Sequence, residues 1–89
     1  MSDPSQPTII VHSTASVGRA IRAARRRLSI TQSQLAEMSG VSQPMISSIE
    51  RGGGVSVGTL LRLVPSLGLE LVIQPRPDKD VLEAWESES

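Results

Sequence analysis

TQSQLAEMSGVSQPMISSIER, residues 31–51, carries small and apolar side chains at the positions where two short helices must cross through a tight turn. Counting Gln32 as the first position, Ala36 stands fifth, Gly40 ninth, Ile46 fifteenth and Ile49 eighteenth, with Leu35 and Val41 also apolar. Helices that cross steeply approach most closely near the fifth position, where only a small side chain such as Ala36 leaves room. The ninth position leaves the first helix in a left-handed conformation, which Gly40 adopts without the penalty of a Cβ. Thr31 is placed to cap the first helix with Gln34 completing a capping box, and Ser42 to cap the second, whose first turn tolerates Pro44.

Leu35, Ala36, Ile46 and Ile49 would also serve the core of an ordinary helical hairpin. The joint placement of Ala36 and Gly40, the two caps, and a second helix whose outward residues are short and polar favour a DNA-binding helix-turn-helix instead. In that arrangement the second helix enters the major groove and its N-terminal side chains reach base edges. Ser42, Gln43, Pro44, Ser47 and Ser48 are the candidate base contacts. A glutamine pairs bidentately with adenine, which makes Gln43 the leading one, while the ring of Pro44 suits a thymine methyl. Gln32, at the start of the preceding helix, is placed over the phosphate backbone, with Ser33 and Arg51 as further phosphate contacts.

Eighty-nine residues, 38% of them hydrophobic, make one small domain. With one Trp and neither Phe nor Tyr, its core must be built from Leu, Ile, Val, Ala and Met. Cysteine is absent and His12 is the single histidine, so disulfides, a zinc site and a Ser-His-Asp arrangement have nothing to be built from, and neither a metal nor a cofactor is expected. Arg62 and Glu70 interrupt the longest apolar stretch, between Val55 and Ile73, and the N-terminus has no signal-peptide blocks. A soluble cytoplasmic protein that is not an enzyme and does not enter a membrane is the expectation.

Net charge is zero, yet the charges are sorted. Residues 14–62 hold seven arginines against Glu37 and Glu50, a net of +5, and residues 70–89 hold six acids against Arg76 and Lys79, a net of −4. The basic body can follow a phosphate backbone that would repel the acidic tail.

Residues 1–13 read as a flexible leader in which Thr8–His12 is β-prone. Ser16 is placed to cap a first helix over about 17–28, with Val17, Ile21, Ala24 and Leu28 at helical spacing. Arg19, Arg22 and Arg26 share its solvent face as candidate phosphate contacts, whereas Arg25 lies beside the apolar stripe and needs an acidic partner, for which Glu50 is best placed. The Arg51-Gly-Gly-Gly loop lacks the spacing of a nucleotide-binding fingerprint. Ser56 then caps a fourth helix carrying Val57, Leu60, Leu61, Val64 and Leu67, which Pro65 kinks or ends near Val64 before Gly68. Residues 14–68 thus form the DNA-binding domain.

Residues 69–75 read as a strand with Leu69, Leu71 and Ile73 on one side and Val72 on the other. A lone strand is unstable, so it is expected to pair with its own copy across a dimer, or with Ile9–Val11. Residues 76–89 form an acidic mobile tail with Val81, Leu82 and Trp85 at helix-compatible spacing.

RAIRAARRRLSITQSQLAEMSGVSQPMISSIERG, with its surroundings over about residues 16–68, resembles the helix-turn-helix of the Xre and lambdoid phage repressor family. The continuation LGLELVIQPRP and the acidic tail bearing Trp85 are similar to the HipB antitoxins, which repress their own operon and bind a HipA-type kinase toxin. That resemblance implies an all-α, lambda-repressor-like domain of four to five helices followed by a dimerising strand (Leu69, Leu71, Val72, Ile73). It also implies base contacts from Ser42, Gln43 and Ser47, a homodimer on palindromic double-stranded DNA, and toxin docking through Trp85, with Leu82 beside it. The chain departs from the pattern at Pro65, where such proteins continue the helix. Two other readings stay open: a stand-alone regulator without a toxin, and an adaptor that uses the helical domain for protein contacts alone.

Overall fold

The computed structural model describes residues 8–88, so residues 1–7 of the leader expected over 1–13 lie outside the described part. Five helices follow one another: α1 (Thr14–Arg27), α2 (Gln32–Ser39), α3 (Gln43–Glu50), α4 (Val57–Ser66) and α5 (Lys79–Glu88). α1 and α2 both pack on α3, and α4 closes the core from the α2 side.

α1 starts three residues earlier than the apolar periodicity predicts, and its cap is Ser13, not Ser16. The two serines form a reciprocal box: the Ser16 amide donates to Ser13 Oγ at 3.1 Å, and the Ser13 amide donates to Ser16 Oγ at 2.9 Å. Either serine satisfies local capping chemistry, and the extra turn they enclose settles which one comes first. Ile21 and Ala24 are buried, but Leu28, expected to continue the stripe, is the C-cap and remains half-exposed. Ser29 then takes a left-handed φ of 58°, and its amide donates to the Arg26 carbonyl.

The turn follows the sequence closely. Thr31 and Gln34 form the expected capping box, and Gly40 ends α2 at φ 76°, its amide donating to the Ala36 carbonyl at 3.0 Å. Ser42 caps α3 through a hydrogen bond from the Met45 amide at 3.3 Å, with Pro44 in the first turn, where a missing N–H is harmless. Ser56 caps α4 from the Thr59 amide at 3.1 Å. Pro65 sits in the last turn of α4, which ends at Ser66, two residues before Gly68 at φ 68°.

Leu35, Ile46, Ile49 and Leu63 are fully buried, joined by Ile21, Ala24, Val41 and Leu67 in one cluster. Burying each large side chain contributes about 2 kcal/mol, so this aliphatic cluster carries the domain without an aromatic anchor. In α4 the inward face runs through Leu60, Leu63, Val64 and Leu67, leaving Val57 and Leu61 outside.

No strand forms among the described residues, which corrects the expectation of a strand over 69–75 and leaves the β-prone run 8–12 without one. A strand exists only through a ladder to a neighbour, and within one chain these two segments do not supply it to each other. Leu69 instead packs against the core, while Leu71, Val72 and Ile73 are exposed, Ile73 at 97%. Within the acidic tail residues 79–88 are helical, in keeping with the helix-compatible spacing of Val81, Leu82 and Trp85. Asp78 starts that helix, its Oδ1 accepting from the Asp80 amide at 3.0 Å. No helix among the described residues is long and apolar enough to cross a membrane.

Candidate nucleic-acid interface

Two contacts set where α3 stands. α1 crosses it at Gly18, where a Cβ would run into the Ile49 carbonyl oxygen and come within 3.2 Å of that of Glu50. Two turns further along α1, Arg25 donates from Nε to Glu50 Oε2 at 2.8 Å and from Nη2 to Oε1 at 2.9 Å. Its remaining nitrogen donates to the Ile30 carbonyl at 3.0 Å, so one guanidinium ties α1, the α1–α2 turn and α3 together. Burial pushes the Glu50 carboxyl up, but the Arg25 and Gln32 hydrogen bonds and the charges of Arg25 and Arg22 outweigh it and hold it below its ordinary value. The hydrogen bond to Glu50 raises Arg25 in turn, against the opposing effect of burial. The pair expected from the sequence is therefore present and is a bidentate one.

With its back fixed in this way, α3 turns its first residues outward. Ser42, Gln43 and Pro44 are exposed, and the capping hydroxyl of Ser42 keeps its own proton available for donation. Gln43 Oε1 lies 3.4 Å from Ser33 Oγ, which donates to it, so these two candidates meet across the turn. Gln43 Nε2 is the amide's remaining donor group. Ser47 and Arg51 form a second pair, with Arg51 Nη1 donating to Ser47 Oγ at 2.7 Å.

Two candidates are placed differently from the sequence reading. Gln32 is half-buried and its Nε2 donates to Glu50 Oε1 at 3.2 Å, so its amide serves the ion pair. Ser48 Oγ lies 2.5 Å from where a Gly53 Cβ would stand, and Gly53 N donates to the Ser48 carbonyl at 2.9 Å. Ser48 is thus turned against the loop after α3.

Arg19, Arg22 and Arg26 are exposed along α1, and the charge of Arg22 helps to lower the Glu50 carboxyl. Leu82 and Trp85 are both exposed on α5, at 37% and 59%. Gly18 and Met45 were not singled out from sequence. A glycine inside an otherwise regular helical pattern was the available signal for the first, and an unbranched apolar residue beside the core position Ile46 for the second.

A family profile described as helix-turn-helix matches residues 21–73, more than half of the chain. An uncharacterized HTH-type transcriptional regulator from Haemophilus influenzae is 48% identical over 52 residues. That match takes in 57% of this chain and 53% of the regulator, so the chain spans about half the length of the curated relative. Among solved structures, a restriction-modification controller protein from Aeromonas hydrophila is similar at 29% identity and a TM-score of 0.61, over 64% of this chain and 88% of the other. A HipB-O4 20mer complex is similar at 26% identity and a TM-score of 0.66, over 73% and 93%. A HipA-HipB-O2-O3 complex gives 26% and 0.65 over the same shares.

Proposed function

The chain belongs to the helix-turn-helix family, and from that premise we propose that it is a sequence-specific DNA-binding repressor of transcription. The observation that carries this reading is the exposed first turn of α3, Ser42-Gln43-Pro44, on a helix anchored from behind by Gly18 and by the Arg25–Glu50 pair. Gln43 reads adenine, Ser42 and Ser47 contact neighbouring base edges, and Arg22 and Arg51 lie on phosphates with Ser33 at the backbone. Two copies joined through the exposed apolar residues Leu71, Val72 and Ile73 would set their recognition helices about 34 Å apart, matching a palindromic operator. Fluorescence anisotropy with duplexes selected from a randomised pool tests this. Binding that survives a large excess of unselected DNA is the expected result, and no preference even at low salt overturns it.

The finer reading is that of an antitoxin, which represses its own operon and neutralises a HipA-type kinase through Trp85 and Leu82 on α5. Its support is the likeness to HipB in complexes with DNA and with HipA, together with a tryptophan exposed on an acidic helix. Native complexes captured from the source cell, with DNA and protein both identified, separate the possibilities. A HipA-type kinase recovered with the chain's own promoter, and lost with Trp85→Ala while DNA is retained, supports the antitoxin. Promoter DNA without a kinase leaves a stand-alone regulator.

A further inference from the structure

We infer that Met45 is a specificity residue that reads the C5 methyl group of a thymine in the major groove; the inference rests on the DNA-binding reading above and adds a residue and a base to it. Within α2 and α3 the large apolar side chains left exposed among the described residues are Met38, in the last turn of α2, and Met45, in the first turn of α3. Met45 is 44% exposed although Ile46 beside it is fully buried. Its backbone is held by the Ser42 cap, so the side chain projects from a fixed point next to Gln43 and Pro44.

The chemistry of the thioether narrows what it can face. Met45 offers base edges no hydrogen-bond donor and only a weak acceptor, and covering a polar base edge with it would strand that edge without its water. The apolar group that the major groove presents is the thymine methyl, beside the O4 acceptor of the same base. An unbranched, polarizable side chain with three rotatable bonds adapts to a methyl whose position shifts with local DNA shape. A two-residue apolar surface, Pro44 and Met45, thereby sits beside the glutamine that reads adenine, and the half-site they specify is A·T-rich at that point.

The test pairs a change in the protein with removal of a single methyl from the DNA. Duplexes selected by the full chain are resynthesised with uracil in place of each thymine in turn, and their affinities are measured with the wild type, Met45→Ala and Pro44→Ala. Thermal melts verify that both variants fold. Uracil at one position of a single half-site is expected to weaken the wild type roughly fourfold, the worth of one buried methyl. The same swap should change Met45→Ala by less than about twofold and leave the response of Pro44→Ala near that of the wild type. A 5-methylcytosine placed at that position in a uracil-free duplex should restore part of the contact for the wild type alone. Equal sensitivity of wild type and Met45→Ala, sensitivity that disappears with Pro44→Ala instead, or a selected half-site without thymine each overturns the assignment. Failure of the chain to select any duplex removes the DNA-binding reading itself, an outcome distinct from sequence-specific binding that ignores the methyl.

Discussion

The guanidinium of Arg25 meets the carboxylate of Glu50 side-on, through Nε at 2.8 Å and Nη2 at 2.9 Å, with the Glu50 side chain only 4% exposed. The pair bridges 25 residues of sequence and joins the end of α3 to the last turn of α1. Removing one partner leaves the other charge stranded in a nearly dry site. Glu50→Ala should therefore destabilise the domain by about 3 kcal/mol in urea unfolding, whereas replacing both residues with apolar ones of similar size should cost far less. A loss below about 1 kcal/mol for the single variant would show that the pair behaves as an exposed surface bridge.

Acid sensitivity follows from the same carboxyl. Because its folded-state pKa lies below the ordinary 4.5, the unfolded chain takes up a proton first as pH falls. Stability from Glu50 is thus fully present above 4.5 and is lost progressively as pH drops from there through the folded value. Urea midpoints measured across the acid range should fall for the wild type, and more shallowly for Glu50→Gln. Identical slopes would remove Glu50 as a source of the acid response.

Gly18 provides a test of the helix crossing. In a solvated helix, alanine in place of glycine gains about 1 kcal/mol, but here the added Cβ meets the Ile49 carbonyl and stands 3.2 Å from that of Glu50, both rigid backbone atoms. The steric cost wins, and Gly18→Ala should lower stability by about 2 kcal/mol and displace α3. Gly58→Ala is the internal control, since its Cβ would meet nothing nearer than Ser56 Oγ at 3.9 Å, and that variant should gain stability. Thermal denaturation of the two variants side by side gives opposite signs on this view, and a gain for both would mean that the crossing has slack.

What sequence could reveal divides along physical lines. Thr31, Gly40, Ser42 and Ser56 took their expected roles because capping and left-handed termination depend on a few neighbouring atoms. Arg25 and Glu50 were legible as a pair because a cation next to an apolar stripe must find an anion. The strand expected at 69–75 depends on a partner that one chain does not contain, and periodicity is silent about partners. The Gln32–Glu50 hydrogen bond was not legible for a related reason: the position of Gln32 over the backbone follows from the motif, but its reach to Glu50 depends on how α2 meets α3. Met45 escaped notice because one step along the helix separates its half-exposed side chain from the buried Ile46.

The two kinds of DNA contact should separate in their response to salt and to sequence. Gln43 is exposed in the first turn of α3, with its amide oxygen engaged by Ser33 at 3.4 Å, so Gln43→Ala removes a base-edge partner without removing charge. It should weaken binding to a selected duplex by about 1–3 kcal/mol, relax the preference at one base pair per half-site, and leave the salt slope unchanged. Arg51 carries a charge and is tied to Ser47 at 2.7 Å. Arg51→Ala should weaken selected and unselected duplexes alike and reduce the slope of log affinity against log salt by about one per subunit. Anisotropy titrations across a salt series give both quantities from one data set. A change of slope with Gln43→Ala would assign that residue to the backbone, and a sequence-dependent loss with Arg51→Ala would move the arginine onto a base.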